Sequence, residues 1–223
     1  MRRLGKRSRS DRGTVLVSAL LVTVLIGTLG AALAFVVTTE SVIAANYRAA
    51  QQGLYAADAG VERAIGELRR LTTWRTVPGS AESSAADFND GAIAPRAADG
   101  TALDLVRLTS QRQAESNTFY PDAPDRPQWH LFAHASLDHM ISGGGSDPSP
   151  YVVVWIADDP DDLDGDPTLD SNDIVIVRSD AFGIRGGRRA VEATVLRESA
   201  LDGSMGGGAT RSDVRVIAWR EVR

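Results

Sequence analysis

Apolar and polar positions along the chain fall into three regimes. From Thr14 to Thr39 no residue is charged, and Glu40 is the first that is. As a helix, that run of 26 residues would be about 39 Å long, enough for a hydrocarbon core of about 30 Å. Beyond it the apolar positions form a stripe: Leu54, Ala57, Val61, Ile65 and Leu68 recur at three- and four-residue steps, as for one buried helix face. Arg48, Asp58, Glu62, Arg63 and Glu67 fall between them, with Arg63 and Glu67 spaced to pair across one turn. All nine prolines lie from Pro78 onward, so the pattern predicts one helix from near Thr14 to about Leu71. Five glycines, Gly27, Gly30, Gly53, Gly60 and Gly66, interrupt it. Each costs about 1 kcal/mol relative to alanine, which a helix packed closely against neighbours tolerates better than a free one.

The third regime alternates. Thr72 to about Gln128 is rich in Ser, Asp, Gly and Pro and reads as loop, with one short helix near the apolar patch Leu103–Leu108. Strand-like runs follow at Trp129–Ala135, Tyr151–Ala157, Ile174–Arg178, Ala190–Arg197 and Val214–Trp219. Ser142–Ser146 and Gly203–Gly208 read as loops. Strands joined without intervening helices predict an antiparallel sheet. The expected fold class is therefore α+β: one very long N-terminal helix, transmembrane in its first half, packed on a C-terminal antiparallel sheet.

Charge sharpens this picture. The chain carries 24 basic and 29 acidic residues, for a net −5, which argues against a nucleic-acid partner. Residues 1–13 hold +5 of that balance and the remainder −10. The basic flank is expected to stay in the cytoplasm, leaving the rest of the chain on the periplasmic side of a bacterial inner membrane. The absence of cysteine excludes disulfides, zinc–thiolate sites and thiol catalysis.

Three readings of the amino terminus are open on these grounds. One is a plain signal anchor. Another is a secretory signal cut after the A-x-A pattern Ala32-Leu33-Ala34, although the apolar run continues through Phe35, Val36 and Val37. The third is a leader ending in glycine, with the apolar stretch retained after cleavage.

The run Arg12-Gly13-Thr14-Val15-Leu16-Val17-Ser18-Ala19-Leu20-Leu21 resembles the start of PilX-type minor pilins of the type IV pilus, which read R-G-x-x-L-x-x-A-L-L. The likeness continues through Thr38-Thr39-Glu40, Ala44-Ala45-Asn46-Tyr47-Arg48 and Tyr55-Ala56-Ala57-Asp58-Ala59-Gly60-Val61-Glu62-Arg63-Ala64, so it covers about residues 12–71. Weaker similarity extends to Trp129–Ala133 and Tyr151–Asp166. The resemblance implies a pilin-like fold, cleavage by prepilin peptidase between Gly13 and Thr14, and methylation of the new amine. It implies a leader at residues 1–13, a membrane and filament-core segment at 14–39, a periplasmic amphipathic half-helix at 40–71 and a globular domain at 72–223. Assembly contacts are expected at Ser18, Gly27, Gly30 and Glu40. Most pilins carry glutamate where this chain has Ser18. A carboxylate buried in lipid is costly unless paired, so its loss removes a docking contact and suits a tip or priming subunit better than the repeating shaft. The expected partners are prepilin peptidase, other minor and major pilins and the inner-membrane assembly platform. The same helix would serve a minor pseudopilin of a type II secretion system. A different class remains open too: a bitopic membrane protein whose periplasmic domain binds a ligand or a metal.

The soluble part holds one conspicuous motif. Eight of the sixteen residues from Asp158 to Asp173 are aspartates, with no basic residue among them. Calcium takes six to eight oxygens from such loops, and Asp162, Asp164 and Asp166 have D-x-D-x-D spacing, with Asp170 and Asp173 as further candidate ligands. Gly165 comes one position early for an EF-hand, and the closing glutamate is missing. The competing reading is a solvated acidic hairpin loop. His130, His134 and His139 cluster beside Asp138, but Trp129, Leu131, Ala133 and Ala135 alternate around them as one side of a strand. No H-E-x-x-H, G-x-S-x-G or P-loop motif occurs, and no enzymatic activity is expected. Trp74, Trp129, Trp155 and Trp219 read as core and sheet-packing residues.

Overall fold

The computed structural model describes residues 10–79, 88–121, 123, 126–141, 149–183, 186–199 and 212–222. Most of the expected leader and the glycine- and serine-rich stretches Ser142–Ser146 and Gly203–Gly208 lie outside the described residues. The first element, α1, is an uninterrupted helix over Ser10–Leu68, 59 residues long. The chain separates into two compact units, Met1–Arg48 and Ala49–Arg223, and α1 contributes to both.

Within the first unit α1 is long and apolar enough to cross a membrane, and none of its most apolar window is buried by protein. Its threonines are already satisfied. The hydroxyls of Thr23, Thr38 and Thr39 donate to the carbonyls of Ala19, Ala34 and Phe35, and that of Thr28 to Leu25, all at 2.8–2.9 Å. Back-bonding of this kind removes the polar groups that a hydrocarbon environment would penalise.

In the second unit the expected apolar stripe is the buried face. Ala56, Ala57, Val61, Ala64, Ile65 and Leu68 are at most 1% exposed and join one hydrophobic cluster with the sheet. The helix stops at Leu68, three residues before the expected end, because Trp74 folds back and its indole N–H donates to the Leu68 carbonyl at 3.1 Å. The same carbonyl also accepts from the Leu71 amide at 3.2 Å, so the closing turn leaves it doubly satisfied.

All five strands form, as β1 (His130–Ser136), β2 (Tyr151–Asp158), β3 (Ile174–Phe182), β4 (Arg188–Ser199) and β5 (Ser212–Val222). They pair antiparallel in the order β1-β2-β3-β4-β5. Strand β2 lies inside the sheet and is buried on both faces, which is why its sequence is a continuous apolar run. Val152, Val154 and Ile156 face the α1 cluster, whereas Tyr151, Val153, Trp155 and Ala157 belong to a second cluster on the opposite face. The expected single-sided alternation of β1 is corrected by a bulge between Leu131 and Ala133. Trp129 and Leu131 join the second cluster, but Ala133 and Ala135 face α1, because the extra residue shifts the side-chain phase.

The second face is covered by α2 (Leu105–Phe119), a 15-residue helix where mostly loop was expected. Asp104 caps it, its carboxylate accepting from the Arg107 amide at 2.9 Å. The buried positions of α2 are Leu108, Arg112 and Ser116, one narrow stripe with a single apolar residue, so hydrophobic periodicity could not reveal it. A one-turn helix, α3 (Leu137–Met140), follows β1.

Candidate functional site

Three places gather groups capable of chemistry. The first is the 15-residue connection from β2 to β3. Its carboxylates divide by position. Asp164 and Asp166 spend their oxygens on backbone turns: the Asp166 amide donates to Asp164 at 2.9 Å, and the Thr168 amide and hydroxyl donate to Asp166 at 3.0 and 2.6 Å. Gly165 between them sits at φ +78°, a conformation in which a side chain is strained. Asp173 pairs with Arg197, whose guanidinium also donates to the Thr72 carbonyl at 2.5 Å. None of these three turns inward with the rest.

The inward set is Asp158, Asp159 and Asp162, each offering a carboxylate oxygen within 4.8 Å of the other two. All three are buried, and so is Asp170. Asp159 accepts from the Asn172 amide nitrogen at 2.8 Å and the Asp161 backbone at 3.1 Å. Asp162 accepts from the Ser171 amide and hydroxyl at 2.8 and 2.6 Å. Both oxygens of Asp158 are buried without a donor in hydrogen-bonding geometry, as is Oδ2 of Asp170. The electrostatics follow. Burial, then the charges of Asp162, Asp170 and Asp159, push the Asp158 carboxyl up to about 8, and the neighbouring Asp159 amide opposes them only weakly. Burial likewise raises Asp170 to about 6 and lifts Asp159. At Asp162 burial acts upward too, but the Ser171 hydroxyl and the surrounding amides outweigh it and hold the group below its ordinary value. Asp162 and Asp170 were among the ligands expected from sequence. Asp158 and Asp159 were not, although both stood in the acidic run.

The second place is an ionic layer between α2 and the sheet. Arg112, 1% exposed, meets Glu115 at 2.6 Å and Asp180 at 3.8 Å. Arg178 reaches Glu115 and Asp180, both at 3.2 Å, and Arg188 reaches Asp180 at 2.9 Å. Arg220 pairs with Glu192 at 2.5 Å and stacks 4.8 Å from the Phe119 ring centre. A cavity of about 360 Å³ opens beside this layer, lined by Phe119, Tyr120 and Trp129 together with Arg178, Glu192 and Arg220. Its charged walls are already paired with one another.

The third is a polar triplet on the far edge. Tyr151 donates to both oxygens of Asp90 at 3.0 and 2.9 Å, and His134 Nδ1 lies 2.8 Å from the same hydroxyl. Tyr151 has one proton and gives it to Asp90, so His134 carries its hydrogen on Nδ1. Burial lowers the His134 pKa, opposed by Asp90, and burial also raises Tyr151. His130 is half-buried and His139 exposed; they do not converge with His134 on a common point. The triplet ties the segment around Asp90, whose amide donates to the His134 carbonyl at 3.1 Å, to the edge of the sheet.

Of the tryptophans, Trp74, Trp129 and Trp155 are buried. Trp219 departs from the core role expected of it: it is 51% exposed on β5 and donates to Asp58 at 3.1 Å. Among the assembly positions, Gly27 and Gly30 have open space where a side chain would begin, with no neighbouring atom within 4 Å, and Ser18 and Glu40 are exposed. No protein family, curated protein or solved structure matches this chain.

Proposed function

We propose that this chain is a minor, PilX-like pilin subunit that takes part in type IV pilus assembly, in the priming or tip complex, and acts by protein–protein recognition. The observation that carries the reading is α1 itself. One uninterrupted helix carries an apolar window that is unburied by protein, and its last turns belong to the buried core of an antiparallel sheet domain. A bare apolar helix needs lipid or other helices around it. In the proposed cycle it is stored in the inner membrane with residues 1–13 cytoplasmic and the sheet domain periplasmic, then exchanges lipid for helix packing in the filament. Gly27 and Gly30, open in the single chain, would admit neighbouring helices closely. Ser18 leaves the usual glutamate contact unmade, which supports a tip or priming position.

Peptide and intact mass spectrometry of the protein extracted from native membranes tests this. The expected amino terminus is a methylated Thr14. An intact Met1 would leave a bitopic membrane protein, for which the cavity beside Phe119 and Arg220 is the place to seek a ligand. A start at Phe35 would make it a secreted domain. Methylated Thr14 combined with co-purification in a secretion complex would favour the type II pseudopilin.

A further inference from the structure

We infer that Asp158, Asp159 and Asp162 form a calcium-binding site at the base of the β2–β3 connection, beside the buried carboxyl of Asp170. Oxygens bound to one calcium ion lie about 2.3–2.6 Å from it, so two of them are at most about 5 Å apart. The three converging carboxylates meet that limit, with mutual separations within 4.8 Å. Acidic loops are common without a cation, and convergence alone would not suffice. The decisive feature is Asp158. It is the last residue of β2 and fully buried, its carboxylate is turned into the cluster, and neither oxygen has a donor in hydrogen-bonding geometry. Oδ2 of Asp170, a residue 4% exposed, is orphaned in the same way. Native structures leave few buried acceptors unsatisfied, and a cation held by the three converging carboxylates satisfies Asp158.

The surroundings agree. Asp159 and Asp162 are held by Asn172 and Ser171, donors that orient a ligand while leaving its other lone pairs available. The dominant charges felt by Asp158 are the other carboxylates, and no arginine is among them. Among the described residues, Arg197 is ion-paired to the loop, and it is taken up by Asp173 at the far end. Burial selects the ion as well. Magnesium sheds its waters reluctantly, whereas calcium accepts cages built of protein oxygens. Binding would clamp a connection already fastened to the exit of α1, where the Asp170 amide donates to the Arg75 carbonyl at 2.9 Å.

The test uses full-length protein in detergent, stripped with a chelator and returned to chelator-free buffer at neutral pH. Calcium chloride is titrated calorimetrically, and thermal unfolding is followed with and without it. The expected result is one saturable calcium per chain and a higher unfolding midpoint. Magnesium should bind at least about tenfold more weakly, and Asp158→Asn and Asp159→Asn should each weaken calcium by about tenfold or more. Asp164→Asn, on the outer turn, should bind within about twofold of the parent. Asp158→Asn carries a second signature: without metal it is more stable than the parent, since burying a neutral amide costs less than burying a carboxylate that must first be neutralised. Folded parent protein that gives neither heat nor a thermal shift overturns the inference, as does a shift matched by magnesium or sodium at equal ionic strength. So does calcium binding that survives both inner substitutions. The parent titration decides the matter even if a variant fails to fold.

Discussion

Gly60 and Gly66 lie six residues apart on one helix, and their surroundings make opposite demands. A methyl group on Gly60 would overlap the Ser179 hydroxyl and sit 2.7 Å from Val152 Cγ1, both on the sheet beneath. Nothing lies within 4 Å of the same position on Gly66. Gly60→Ala should therefore destabilise the domain by about 1–3 kcal/mol through overpacking, and Gly66→Ala should stabilise it by up to about 1 kcal/mol through helix propensity. Urea unfolding of the two variants beside the parent checks both signs. Asp158 gives a pH dependence at the same scale. Its carboxyl is raised to about 8 from an ordinary value of 3.8, so metal-free folded protein holds a proton that the unfolded chain has released. That contribution is complete at the acid end and is lost as the pH rises through 8. The histidines lowered by burial act in the opposite direction, but only below about pH 6.5. Between about pH 6.5 and 8 the urea midpoint of chelated protein should fall, and in Asp158→Asn, where only the smaller effects of Asp170 and Asp159 remain, it should fall less. A parent midpoint that is flat over that interval would refute the assignment.

Among the elements, α2 shows how a helix forms without an apolar face. Its contact with the sheet is a layer of ion pairs around Arg112, Arg178 and Asp180, all at most 5% exposed. Removing one partner from such a layer strands buried charge, so Arg112→Ala should cost about 3–5 kcal/mol. Arg112→Met, which refills the volume but leaves Asp180 with Arg178 and Arg188, should cost less. Asp104→Ala removes only the cap and should cost about 1 kcal/mol. Equilibrium unfolding separates the three, and near-equal losses would mean that α2 does not depend on its charges. This element was also the least legible in sequence. Asp104 ahead of Leu105-Val106 was a usable start signal, but Arg112 and Ser116 read as solvent-facing until the sheet beneath them is known. The strands were far more legible, because the β-branched run within Tyr151–Ala157 favours extended backbone locally. Their ends were underestimated where charged residues continue the strand, as Arg188 and Arg189 do in β4.

For the whole molecule, the proposed function makes the apolar half of α1 the membrane anchor. Ile26→Arg places a charge at the middle of the 14–39 run and should oppose insertion by about 3 kcal/mol. Alkaline extraction of membranes should then release a large share of the variant while the parent stays in the pellet; equal retention would mean that this segment is not the anchor. The sequence by itself determined the long helix, its apolar and amphipathic halves, the five strands and the location of the acidic connection. Those features are local: a run, a 3.6-residue stripe or a two-residue alternation is written in neighbouring residues. Only the tertiary structure decided which aspartates turn inward. The D-x-D-x-D spacing pointed to Asp164 and Asp166, yet Gly165 bends that segment outward, and Asp158 is carried inward as the end of a strand buried on both faces. It also decided the union of Arg112, Arg178, Asp180 and Glu192, and the bulge that shifts β1 between two cores. Burial and pairing depend on residues distant in the chain, and no local pattern encodes which surface will close over a charge.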